Sequence, residues 1–123
     1  MNAKPPPFPT HVKVGWKRFK VVDWDPAVAA ARSLYGECDH LAATIRVDTT
    51  KGPRQVAETL WHECIHATFD IGSCHATPGG RNDEYPEEFL VSHFASWTMT
   101  LLVDNPHLGA YLSWATSYEE PDD

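Results

Sequence analysis

The chain has little cysteine, no long apolar run and a shortage of positive charge, and each of these features excludes a class of protein. Its three cysteines are an odd number and form no C-x-x-C pair, so neither a disulfide framework nor a thiol-redox motif is expected. No stretch is apolar for long enough to span a membrane, and the segment Met1 to Pro7 lacks the apolar run of a signal peptide. The sequence therefore predicts a cytoplasmic protein with free thiols and no membrane partner.

Acidic residues outnumber basic residues by 17 to 10, which gives a formal net charge of -7. A chain of this charge is repelled by phosphate backbones, so direct nucleic-acid binding is not expected. Apolar and aromatic residues are plentiful, because 42% of the 123 residues are hydrophobic and the chain has five Trp and five Phe. This composition is sufficient for the core of one domain.

Hydrophobic periodicity and helix-end signals predict an α+β domain over residues 11–116. A proline-rich arm at residues 1–10 and an acidic tail at residues 117–123 flank this domain, and both are expected to be disordered. The predicted elements, in chain order, are a strand over 11–24, a short helix from Pro26 that stops at Gly36, a turn over 37–42, a strand over 43–48, and helices over 56–71, 86–103 and 106–116.

The helix predicted over residues 56–71 carries His62, Glu63 and His66, which form the pattern H-E-x-x-H. Residues four apart stand on the same face of an α-helix, so His62 and His66 can direct imidazole nitrogens at one metal ion. Glu63 lies about 100° around the helix, where it borders that face and can reach a water on the metal. The stretch Val56 to Ile71 has no Gly or Pro and is apolar over most of its circumference, which indicates a central helix. Two histidines at this spacing also occur by chance, and a third ligand from another element would confirm the site.

A catalytic zinc site takes three protein ligands and a water, so the sequence should supply a third ligand elsewhere. Glu87 and Glu88 open the second long helix, and geometry alone leaves both possible. Glu88 is favoured because Ser92 and Ala95, on its face of the helix, are small enough to allow a close approach to the motif helix. Glu87 points instead along a bulky apolar stripe of that helix.

Other candidate side chains lie between the two helices or on the second one. Cys74 and His75 are rival ligands in a Gly-rich loop, although a Cys ligand would suggest a closed structural site. Tyr85, one turn before Glu88, is the candidate donor for an oxyanion, with His75 next, and packing at the helix start is the alternative role for Tyr85. His93 is expected on the solvent side of its helix.

Four segments resemble the compact zincin-like metallopeptidases of the gluzincin kind, in particular small phage-encoded ones. These segments are Ile45 to Asp48, Gln55 to Thr68 around the H-E-x-x-H motif, Glu87 to Val91, and Asp104 to Pro106. The resemblance implies a minimal zincin-like fold with one helix carrying the motif, a second helix carrying a ligand Glu, and a small sheet over them. It places the ligand carboxylate at Glu88.

The function implied is a zinc-dependent peptidase that acts on proteins or peptides, in the host cytoplasm if the protein is phage-encoded. Zn²⁺ held by His62, His66 and Glu88 would lower the pKa of a bound water toward about 7. Glu63 would take the proton as general base and pass it to the leaving amine. Two alternatives stay open: a zinc-stabilised binding or assembly protein without activity, and an SprT-like protease with a later His as third ligand.

Overall fold

The computed structural model describes residues 4–72 and 87–119, with the backbone only at residues 87 and 88. Its elements, in chain order, are β1 (His11–Val14), β2 (Lys17–Asp23), α1 (Pro26–Ala31), β3 (Gly36–Asp39), β4 (Thr44–Val47), α2 (Pro53–Ile71), α3 (Glu87–Asp104) and α4 (Pro106–Thr116). The predicted α+β class is confirmed. None of the helices in the described ranges is long and apolar enough to cross a membrane.

The four strands form one mixed sheet in the order β1-β2-β4-β3. β1 and β3 run antiparallel to their neighbours, whereas β2 and β4 are parallel to each other. The strand expected over residues 11–24 is divided in two, because Gly15 has a φ of 61° and reverses the chain into a hairpin. A Cβ atom at Gly15 would also lie only 3.0 Å from Ile71 Cγ2, so the contact between this turn and the end of α2 requires glycine.

β3 differs from the sequence prediction, which places a turn over most of its residues. Gly36 and Asp39 have low strand propensity, and they interrupt the alternation of apolar and polar residues by which a strand is recognised. Pairing with β4 forms the strand, with Glu37 opposite Arg46 and their side chains joined by a 2.7 Å ion pair. Cys38 packs from the other side of β3 against the core. The pairing with β4 therefore overrides the local preference for a turn.

The hydrophobic core lies between the sheet and α2, which contacts β1, β3, β4 and α4. Its fully buried side chains include Val12, Val14 and Phe19 from the hairpin, Ile45 and Val47 from β4, Leu60, Cys64 and Ala67 from α2, Leu101 from α3, and Leu108 and Ala115 from α4. The central position expected for the motif helix is confirmed. Gly52 precedes α2 and Pro53 occupies its first turn, so the helix begins earlier than its apolar pattern does.

The outer edge of β1 is covered by the corner between α3 and α4. Asn105 is 1% exposed, accepts a hydrogen bond from the Lys13 backbone N–H at 2.7 Å and donates to the Lys13 carbonyl at 2.8 Å. Its amide also donates to the Leu101 carbonyl at 2.8 Å. His107 Nε2 donates to the His11 carbonyl at 2.7 Å. These side chains satisfy backbone groups that an edge strand would otherwise expose.

The end of the proline-rich arm packs on the domain, which differs from the disorder expected for residues 1–10. The Phe8 ring meets Tyr111 edge to face, with ring centroids 5.0 Å apart. Pro9 is fully buried. Aromatic contact and apolar burial therefore hold at least residues 8 and 9 against α4.

Candidate metal centre

His62 and His66 lie one turn apart on α2, and both imidazoles can be reached from solvent. Their Nε2 atoms are 3.2 Å apart. Two nitrogens bound at ordinary zinc–nitrogen distances with a tetrahedral angle would be about 3.3 Å apart. The spacing of the two nitrogens therefore fits a shared tetrahedral metal ion.

The protonation of His66 also suits metal binding. Partial burial lowers the pKa of its imidazole, and the neighbouring His62 and His40 lower it further. A lower pKa favours the neutral ring, whose free nitrogen lone pair is the form that binds a metal.

Glu63 lies on the side of α2 adjacent to the histidine pair, and it is 6% exposed. Burial raises the pKa of its carboxyl group, and Glu37 raises it further, whereas His62 acts in the opposite direction. No described residue of the chain donates a hydrogen bond to this carboxylate, which is costly for a buried ionisable group and is a feature of functional sites. A carboxylate with a raised pKa is suited to accept a proton and release it again.

Gly36 of β3 allows the sheet to approach this part of α2. A Cβ atom at Gly36 would lie 2.6 Å from Thr59 Cγ2 and 2.8 Å from the Arg46 carbonyl oxygen. It would also lie 3.4 Å from Glu63 Cγ, so any side chain here would press β3 away from α2. The sequence pattern indicates Gly36 only as a helix stop, and nothing in it predicts this contact.

A cleft of about 210 Å³ opens between α2 and the segment that connects α1 to β3. Its lining comprises Ser33, Leu34, Tyr35, Gly36, Gln55, Glu58, Thr59, His62 and Glu63. Two larger clefts, of about 540 and 530 Å³, include none of the three motif side chains in their linings. Among these three clefts of the described residues, only the smaller one has Glu63 in its wall.

A polar cluster that the sequence does not predict lies one turn beyond His66. Asp70 Oδ2 lies 3.2 Å from Lys17 Nζ and 3.7 Å from His40 Nδ1, and His40 Nδ1 lies 3.7 Å from Cys38 Sγ. The only signal in the sequence is the spacing of Asp70, four residues after His66 on the same helix face. The other members come from β2, from β3 and from the turn after β3, which the sequence does not place next to α2.

The two described cysteines are free and protonated at neutral pH. Burial raises the pKa of Cys38 to about 12, with further increases from Glu63 and Asp70. Near-complete burial also raises the pKa of Cys64. Neither thiol has the lowered pKa of a nucleophilic cysteine.

The side chains of Glu87 and Glu88 lie outside the described residues, as do Cys74, His75 and Tyr85. Of these, Glu87 and Glu88 have a described backbone, in the first turn of α3. Among the side chains that the structure describes, no three His, Cys, Asp or Glu residues come together to hold a metal. The histidine pair therefore requires a further donor beyond that set to complete a three-ligand site.

α3 packs on its neighbours through a face other than the expected one. Ser92 and Ala95 are exposed, so the packing argument that favours Glu88 over Glu87 is wrong. His93, expected in solvent, is only 8% exposed. Its ring stacks on Phe69 of α2 with centroids 4.5 Å apart, and its Nε2 lies 3.0 Å from Thr68 Oγ1.

Comparison with known proteins gives no relative for this chain. No protein-family model, no curated protein and no solved structure matches it.

Proposed function

We propose that the protein is a zinc-dependent metallopeptidase with a minimal zincin-like fold. The observation that carries the proposal is the 3.2 Å separation of the His62 and His66 Nε2 atoms beside the buried carboxylate of Glu63. Two metal-binding nitrogens and a proton acceptor on adjacent sides of one helix are the elements that hydrolysis at a zinc ion requires.

His62, His66 and Glu88 would hold the metal in this proposal. Bound zinc supplies Lewis acidity toward a water molecule and a carbonyl group. The choice of Glu88 rests on the family resemblance, since its side chain and that of Glu87 lie outside the described residues.

Glu63 would take the proton of the attacking water and deliver it to the departing amine. Its burial supports this role, because burial raises its pKa toward the range in which a carboxylate both accepts and returns a proton. Its position in the wall of the 210 Å³ cleft gives it access to a substrate. Tyr85 would donate a hydrogen bond to the oxyanion.

A peptide substrate is supported by the strand that flanks this cleft. β3 lies at the end of the sheet and pairs only with β4 within the described part of the chain. An extended peptide can add to such an edge through backbone hydrogen bonds. Gly36, which belongs to β3, lines the same cleft as Glu63.

The second candidate function is a zinc-stabilised binding or assembly protein. The same histidine pair would support it, but it gives Glu63 no role. A buried carboxylate without a hydrogen-bond donor among the described residues lowers stability, and a purely structural site has no reason to retain it. We also propose a cytoplasmic location, which the free thiols of Cys38 and Cys64 support.

Metal analysis of the purified protein, combined with cleavage of a broad peptide library, tests the proposal. We expect one zinc ion per chain, and cleavage that a chelator abolishes and added zinc restores. Zinc binding without cleavage of any library peptide would favour the binding protein. A chain that binds no zinc would contradict both functions.

A further inference from the structure

α3 has an uncharged outer surface that the rest of the described domain does not cover. Residues 89–103 contain no Asp, Glu, Lys or Arg, although 22% of the whole chain is charged. The opposite side of this helix carries His93, Trp97 and Leu101, which are buried or partly buried. We define the outer face of α3 by its exposed residues Val91, Ser92, Ala95, Ser96, Met99, Leu102 and Val103.

The outer face of α3 is large for a surface without a partner. Val91 is 54% exposed, Met99 69%, Leu102 41% and Val103 76%. With the three small residues, this face offers on the order of 500 Å² per molecule, at the upper end of the largest patch on a typical monomer. Two such faces in contact would remove about 1,000 Å² from water, the lower limit for a stable biological interface.

Residue size increases along this face, so the small half of one copy can fit the large half of a second copy. Its first half carries the three small residues Ser92, Ala95 and Ser96 beside one larger residue, Val91, and its second half carries only larger residues, Met99, Leu102 and Val103. In an antiparallel pair of α3 helices, the large half of one copy would lie on the small half of the other. A parallel pair would place large residues on large ones and leave a gap at the small ones.

We propose that the outer face of α3 binds a second copy of this chain, as an antiparallel helix pair around a two-fold axis. The axis passes between Ser96 and Met99, so Ser92 of one copy faces Val103 of the other. Such an interface is isologous, which is the usual arrangement in dimers. The proposal does not depend on peptidase activity, but it bears on the third metal ligand: by helical spacing Glu88 belongs with Ser92 and Ala95, so a dimer through this face would favour a donor other than Glu88.

The absence of charge from this face is compatible with a second copy and argues against a membrane. Each copy has a net charge of -7, and two copies can approach closely only through a surface that carries none of that charge. A membrane-binding helix carries Lys or Arg on its flanks, and α3 has neither between Glu87 and Asp104.

The mass of the protein in solution tests the proposal, by sedimentation equilibrium from about 1 to 100 µM. We expect the parent to have twice the mass of the chain. Met99→Glu should weaken the dimer by at least about a hundredfold, because the substitution places two unpaired carboxylates near the axis. The matched control is Leu41→Glu, since Leu41 is fully exposed in the turn after β3, and this variant should remain a dimer.

A parent that stays monomeric at 100 µM overturns the proposal, and so does a Met99→Glu variant that dimerises like the parent. Circular dichroism verifies that each variant is folded. If Met99→Glu does not fold, Val103→Glu provides the same test, because Val103 is also exposed and lies in the same face.

Cross-linking tests the orientation of the two helices. Ser92→Cys and Val103→Cys variants are oxidised separately and as a mixture, with the parent as control for its native thiols. We expect a new cross-linked dimer in the mixture alone. Cross-linking within each separate variant, with no gain in the mixture, would show a parallel pair and contradict the antiparallel arrangement.

Discussion

At the scale of single residues, the candidate site combines two accessible imidazoles with a buried carboxylate. The imidazoles of His62 and His66 have nitrogens 3.2 Å apart, and Glu63 is 6% exposed beside them. Helical spacing alone predicts the positions of these three residues, which is why the sequence indicates them. The burial of Glu63 could not be predicted in the same way, because it depends on Gly36, a residue of a distant strand.

The third ligand gives a prediction at this scale. Glu88→Ala should weaken zinc affinity by orders of magnitude, because a metal left with two protein ligands is weakly held. Glu87→Ala should leave the affinity largely intact. Competition with a chelating dye measures both affinities against that of the parent.

The same titration applied to Cys74→Ser and His75→Ala provides the controls for the rival donors. If Glu88→Ala binds zinc as tightly as the parent and one of the other three variants does not, the ligand is misassigned. A loss confined to His75→Ala would favour the SprT-like arrangement.

At the scale of elements, the sequence predicts both ends of α4, and it predicts α2 apart from its first three residues. Pro53 and Pro106 stand in the first turns of these two helices. The packing face of α3 could not be predicted, because this helix is apolar over its whole circumference and no single side is marked as buried. β3 is missed for a different reason, since its Gly and Asp residues disfavour a strand until β4 pairs with them.

The corner between α3 and α4 gives a prediction for stability. Asn105→Ala removes three hydrogen bonds of a buried side chain, two of them to the backbone of Lys13 in β1. The free energy of unfolding should fall by about 2–4 kcal/mol, because a buried N–H and carbonyl groups lose their partners. Urea denaturation measures the change.

Asp104→Ala is the matched control, because Asp104 is the preceding residue and is exposed. It should change the free energy of unfolding by less than about 0.5 kcal/mol. Equal effects of the two substitutions would show that the hydrogen bonds of Asn105 do not stabilise the edge of β1.

At the scale of the whole molecule, a metal bound to α2 and α3 would link two parts of the chain that are far apart in sequence. The described contacts between these helices involve a few side chains near the end of α2, including Phe69 and Thr68 with His93. A ligand that binds only the folded state stabilises it by mass action, and a site with donors on two elements exists only when both are folded. The metal should therefore contribute to the stability of the domain as well as to its chemistry.

Metal removal tests this contribution. With free zinc at about a hundred times the dissociation constant, the bound metal stabilises the folded state by about 2.7 kcal/mol. For a domain of this size, chelation should then lower the melting temperature by roughly 10 °C. Differential scanning calorimetry measures the shift.

The His62→Ala/His66→Ala double variant is the control, because its melting temperature should not respond to the chelator. An unchanged melting curve of the parent, with metal loss verified, would rule out a zinc site that supports the fold.

The most direct test of the central claim compares the parent and Glu63→Gln for cleavage of the same peptide library at equal zinc content. Glutamine keeps the shape of the side chain but cannot accept the proton of the attacking water. Because Glu63 flanks the two proposed histidine ligands without being one itself, we predict that the variant binds zinc with the same stoichiometry and loses cleavage by at least about a hundredfold. Cleavage at the parent rate by the zinc-loaded variant would contradict the account.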